Sequence, residues 1–116
     1  MKYFDMSEFE CNCGCGRAGI NADLGSKLDI ARGLYGHPIR VTSGRRCAGH
    51  NKNVGGMPDS SHLYGWAADI EAPTGKHKYL LVKCLIEAGF NRIGIGRVFI
   101  HVDVDPGKPG SRIWLY

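Results

Sequence analysis

The sequence predicts a single α+β domain over residues 1–116, a small antiparallel sheet with helices packed on one side. Two segments carry apolar residues at helical spacing: Leu24, Leu28, Ala31 and Tyr35, then Leu80, Leu81, Cys84, Leu85 and Ala88. Several short runs rich in β-branched or alternating residues lie around them, each bounded by Gly, Pro or Asn. A length of 116 residues suffices for one domain and not for two, and 43% hydrophobic residues allow an ordinary core.

Residues 1–20 have few periodic apolar positions and hold a Cys/Gly cluster, so they read as an irregular segment with one helical turn near Met6–Glu8. Asn21 suits a helix N-cap and Gly36 a C-terminal stop, which predicts a helix over 22–35. His37-Pro38 turns the chain into a short strand, Ile39–Thr42, ending at Ser43-Gly44. A short helix is expected over Ala48–Asn53, before Val54–Pro58 loops onward. Thr74 can cap a second long helix from about 75 to 88, with Gly89 ending it. Three strands follow, Arg92–Ile95, Val98–Val104 and Ser111–Tyr116. Gly94, Gly96 and Arg97 suit a tight hairpin between the first two, and the two Pro-Gly pairs a turn before the last.

The chemistry concentrates in two places. Ser60–Ile70 sets His62 and Asp69 seven positions apart with small and apolar residues between them, and Phe99–Val104 contains His101 and Asp103. Alternation along Val98–Val104 puts Phe99, His101 and Asp103 on one face and Val98, Ile100, Val102 and Val104 on the other, buried one. Trp66–Ile70 reads as a further short strand, so Asp69 can face His101 across the sheet while His62 reaches in from a Gly-flanked loop. A lone strand histidine is ordinarily a packed core residue, and a strand-end aspartate ordinarily a cap. Together His62, Asp69 and His101 form a zinc ligand set that leaves the fourth tetrahedral position open, the mark of a catalytic rather than a structural ion.

At these residues the sequence resembles the M15 zinc peptidases, and in particular their small phage-encoded branch that cuts peptidoglycan peptides. The S-x-H-x-x-G-x-A-x-D-I signature matches Ser60, His62, Gly65, Ala67, Asp69 and Ile70, and a later H-x-D matches His101 and Asp103. Further matches run through Ser7-Glu8-Phe9, Thr42–Arg46, His50-Asn51, Val54-Gly55-Gly56, Arg112 and Trp114. The resemblance implies a fold like the hedgehog and DD-peptidase domains, and a Zn2+ enzyme hydrolysing an amide bond in peptidoglycan stem peptides or cross-links, as an endolysin-like endopeptidase or a D-Ala-D-Ala carboxypeptidase. It implies that Arg46 grips a substrate carboxylate or carbonyl, and that Ser60 bonds substrate or orients His62. Relatives commonly carry a Glu or Asp three residues before the last zinc histidine, where this chain has Val98. Asp103 is then the nearest substitute as catalytic base, with orientation of His101 its other open role. The rival expectation is a non-catalytic zinc-containing wall-binding or phage structural module.

A net charge of +4 favours anionic polymers, bacterial walls included, but no basic block or basic helix suggests nucleic acid. No apolar run is long enough to span a membrane, and a monomer is expected. Met1–Asp5 lacks an apolar signal segment, which predicts synthesis in the cytoplasm and action on the wall after release or delivery. Five cysteines rule out a complete disulfide framework. Cys11, Cys13 and Cys15 with Cys47 read first as free thiols packed as small hydrophobes; a second zinc site and one disulfide formed after release stay open. Cys84 reads as helix core, His50 as structural, and Trp66 and Trp114 as core or pocket wall.

Overall fold

The computed structural model describes residues 1–116 as a five-stranded sheet with three α-helices. Helix α1 (Ala22–Tyr35) begins where the Asn21 side chain accepts from the Asp23 and Leu24 amides, and stops at Gly36 in the left-handed region, φ 76°. Strand β1 (Val41–Ser43), short helix α2 (Ala48–Asn53) and strand β2 (Ala67–Glu71) follow, with a turn of 3-10 helix at Ser61–Tyr64 before β2. Helix α3 (Gly75–Glu87) is capped by Thr74, whose hydroxyl accepts from the His77 amide. Strands β3 (Arg92–Ile95), β4 (Phe99–Asp103) and β5 (Arg112–Leu115) complete the chain.

The core lies on one face of the sheet. Leu24, Leu28 and Ala31 of α1 and Leu81, Cys84 and Leu85 of α3 pack with Ala68, Ile70, Ile93, Ile100 and Val102 from the strands. Because side chains alternate along a strand, this leaves Asp69, His101 and Asp103 on the opposite face. That face carries the chemistry.

The strand order is β1-β2-β4-β3-β5, and the sheet is mixed rather than wholly antiparallel: β5 runs parallel to β3. Both edges of β4 are taken, by β2 and by β3, so the chain leaving Asp103 has no place for a return hairpin. Instead residues 104–111 cross the end of β3 and enter β5 beside Arg92, fixed there by the Arg112 amide donating to the Asn91 carbonyl at 2.9 Å.

Two further expectations are corrected. Val98 lies outside β4, in the hairpin closed by the Gly96 amide on the Phe99 carbonyl, and is 54% exposed rather than buried. Cys13 and Cys15 are exposed, so packing as small hydrophobes fits only Cys11 and Cys84, which are buried. No helix is long and apolar enough to cross a membrane.

Candidate metal centre

Asp69 and His101 are direct partners across β2 and β4, which brings their side chains out of the sheet side by side. His62 comes from the 3-10 turn, started by the Ser60 hydroxyl accepting from the His62 amide and ended by Gly65 at φ 77°. At Gly65 a Cβ would lie 2.6 Å from the Gly19 carbonyl oxygen, so the turn that delivers His62 needs glycine for space as well as for conformation. All three side chains are buried, and their candidate ligand atoms lie within 4.8 Å of one another.

Each imidazole is held from behind. His62 Nδ1–H donates to the Gly44 carbonyl at 2.7 Å, and His101 Nε2–H donates to Asp103 Oδ2 at 2.8 Å. A neutral imidazole has one N–H, so these anchors turn the lone pairs of His62 Nε2 and His101 Nδ1 toward Asp69 Oδ1, 3.2 and 3.0 Å away. Two lone pairs facing a carboxylate oxygen repel unless a cation lies among them. Ligands bound at about 2.0–2.1 Å in a tetrahedron stand about 3.3 Å apart, close to these separations. The donor set therefore fits a zinc-type ion, and anchored far nitrogens are what metal-binding histidines ordinarily show.

Without an ion, the same groups are held together by protons instead. Burial alone would raise the Asp69 carboxyl, but its contacts with His101 and His62 and their charge outweigh this and hold it well below the usual carboxylate range. Burial alone would lower His101, yet Asp103 and Asp69 more than offset it and raise it. Asp103 likewise is lowered against its burial, by hydrogen bonds from His101 and Arg92. Both Asp103 oxygens are occupied: Oδ2 by His101, and Oδ1 by Arg92 Nε at 2.7 Å and the Asp105 amide at 3.2 Å.

These groups open onto a cleft of about 340 Å³ whose walls include Arg46, Ser60, Asp59, Lys108, Phe99, Trp114 and Tyr116. Arg46 spreads its guanidinium over Ser43 Oγ, Asn51 Oδ1 and Asp69 Oδ2, at 3.2, 3.3 and 3.4 Å, spending three of five donors. Of the residues expected from the sequence, His62, Asp69, His101, Asp103, Arg46 and Ser60 thus come together, whereas Val98 stays outside the cleft. Sequence reasoning missed Arg92, which braces Asp103 and lies 4.9 Å over the Trp114 ring, and the Gly44 carbonyl behind His62. Alternation with Gly94 could have put Arg92 on this face; nothing in a glycine's side chain could have announced its carbonyl.

No curated protein matches the chain. The family model described as Peptidase M15 matches residues 2–105, from the N-terminal segment to just beyond the last strand residue of the cluster. A match over that span, which contains the buried His/Asp cluster, means that the chain belongs to the peptidase M15 family.

Proposed function

We propose that this peptidase is a zinc enzyme that hydrolyses an amide bond in peptidoglycan stem peptides or cross-links. The observation that carries the reading is the convergence of His62, Asp69 and His101 with both histidines anchored on their far nitrogens. A zinc ion held by these three supplies a Lewis acid that polarises a carbonyl and acidifies water. The chain's own residues supply the rest. Gly44 and Asp103 fix the tautomers of His62 and His101. Arg46, whose NH2 group touches Asp69 Oδ2, keeps two unspent donors with which to hold a carboxylate or carbonyl of the peptide. Arg92 and Lys108 also line the cleft, paired with Asp103 and Asp105, which leaves Arg46 as the cation with donors to spare. Ser60 orients the His62 backbone.

For Asp103 the geometry supports orientation of His101 over service as base, since it is 1% exposed and already accepts from His101, Arg92 and the Asp105 amide. Among the carboxylates lining the cleft, Asp59 is the one whose side chain carries no partner, and we assign it the proton exchange with water and leaving amine. An endopeptidase is favoured over a carboxypeptidase only by analogy with wall-lysing relatives.

One observation supports a second reading, a wall-binding module without turnover: Val98 offers no acid–base group and points to solvent. Incubating zinc-loaded protein with isolated peptidoglycan separates the two. The peptidase releases new amino groups, absent with His62→Ala or His101→Ala, and mass spectrometry of the fragments names the bond. Tight binding with no released amine in any preparation sinks the enzyme reading.

A further inference from the structure

The four cysteines at the N-terminal end of the fold are not absorbed by the peptidase site. Cys11, Cys13 and Cys15 come from one loop and Cys47 from the N-cap of α2, yet all four sulfurs lie within 4.8 Å of one another. Cys11 and Cys13 are 3.4 Å apart, Cys11 and Cys47 3.8 Å, and Cys13 and Cys47 3.7 Å. Zinc–sulfur bonds of about 2.3 Å in a tetrahedron put sulfurs about 3.8 Å apart. A disulfide needs about 2.05 Å, joins only two of the four, and requires an oxidant.

We propose that Cys11, Cys13, Cys15 and Cys47 bind a second metal ion of the zinc type, as a closed tetrathiolate site with a structural role. Binding one divalent ion displaces four thiol protons and changes no oxidation state.

The backbone is arranged for it. Gly14 at φ 82° turns the chain between Cys13 and Cys15 despite the short C-x-C spacing, and Gly16 at φ 83° lets it return so that the Cys11 amide donates to the Arg17 carbonyl at 2.8 Å. Amides point at sulfur: Cys47 N–H at Cys11 Sγ and His50 N–H at Cys47 Sγ, both 3.4 Å, and Arg17 N–H at Cys15 Sγ, 3.5 Å. Donors around thiolates are the outer support a metal–sulfur site needs. Free thiols gain little from such crowding, and two of the four are exposed, where packing contributes nothing.

The site would act on the cleft through three residues of chain. Cys47 adjoins Arg46, and Gly44 holds His62; the Arg45 amide donates to the Phe9 carbonyl at 2.8 Å, so the cysteine loop and segment 44–47 are already zipped. Tying Cys47 to residues 11–15 fixes that segment, and with it the carbonyl behind His62.

The test uses full-length protein purified under reducing conditions with zinc, then freed of unbound metal. A His62→Ala, Asp69→Ala double variant is expected to keep one zinc per chain, and its cobalt(II) form to show thiolate-to-cobalt charge-transfer absorption. Cys13→Ser with Cys15→Ser, exposed positions whose change empties no core, should abolish that band and that zinc. In the wild type, Cys13 and Cys15 should resist alkylation with zinc present and react once a chelator removes it. No zinc in the double variant, a cobalt form without the thiolate band, or exposed thiols that alkylate equally with and without zinc each overturn the proposal. These readouts report sulfur ligation alone, so they stand or fall apart from the peptidase reading.

Discussion

Replacing Asp103 by Asn tests whether that carboxylate acts through His101 or on the substrate. Asp103 is 1% exposed and joins Arg92 Nε at 2.7 Å to His101 Nε2 at 2.8 Å. An Asn amide offers one oxygen where two acceptors stood. If the oxygen stays on Arg92, the amide N–H2 faces His101 Nε2, and the imidazole must move its proton to Nδ1 to avoid opposed donors. That nitrogen then donates to Asp69 Oδ1, now 3.0 Å away, and its lone pair is lost to the metal. Loss of a carboxylate behind a metal-binding histidine lowers metal affinity about 10- to 100-fold. Neutralising the buried partner of Arg92, whose side chain is 12% exposed, leaves that guanidinium without its counter-charge and costs about 3 kcal/mol, a melting shift on the order of 10 °C. Competition with a chromogenic zinc chelator, thermal melts and turnover on wall fragments are the three measurements. A general base predicts the reverse pattern, intact zinc affinity with turnover down about a hundredfold or more. A variant that keeps wild-type zinc affinity and melting temperature refutes the orienting role.

Two predictions rest on neighbouring features. Gly44→Ala puts a Cβ 2.6 Å from the Phe9 Cα and carbonyl oxygen, both backbone, so it should destabilise by about 1–3 kcal/mol in urea unfolding and weaken zinc binding; wild-type values for both would show that the segment yields freely. In metal-free protein the lowered Asp69 and Asp103 add stability that is present above the ordinary carboxylate value of about 4 and lost as pH falls through their folded values. The raised His101 adds stability that is full below about 6.5 and lost as pH rises through its folded value. Chelated protein should therefore be most stable to denaturant between about pH 4 and 6.5, and a maximum at pH 8 or above would contradict the cluster's charges.

Local signals made most elements legible. Asn21, Gly36 and Thr74 are caps whose chemistry acts within four residues; α1 starts and stops, and α3 starts, where they indicate. Alternation likewise sorted His101 and Asp103 from Ile100 and Val102. What escaped depends on contacts between distant segments. The parallel placement of β5 follows from β4 having both edges filled, a fact about the whole sheet. Val98 left its strand because the hairpin closes at Phe99, one residue later than alternation suggests. Four cysteines whose spacing fits no familiar knuckle meet because two left-handed glycines fold the loop back, a backbone property that a Cys count does not convey.

The candidate metal centre is best understood as one register of the sheet. Ser43 pairs with Asp69, Asp69 with His101, His101 with Gly94 and Gly94 with Trp114, a single row across all five strands. Directly opposed residues share a face, so Arg46's partner Ser43, the two strand ligands and the aromatic wall are aligned by the same pairing that buries Ile100 and Val102 beneath them. Gly94 is the open place in that row: a Cβ there would meet the Trp114 ring at 2.6 Å, and without one the indole lies beside His101, ring centroids 5.6 Å apart. A slip of one residue in β4 would send His101 into the core and Val102 into the cleft, exchanging a charge-bearing imidazole for a buried methyl group at a cost the core would not tolerate. Hydrophobic burial on one face thereby fixes the ligand geometry on the other. The site needs only His62, carried on its own loop, to be positioned separately, and that is the task of Gly44, Ser60 and Gly65.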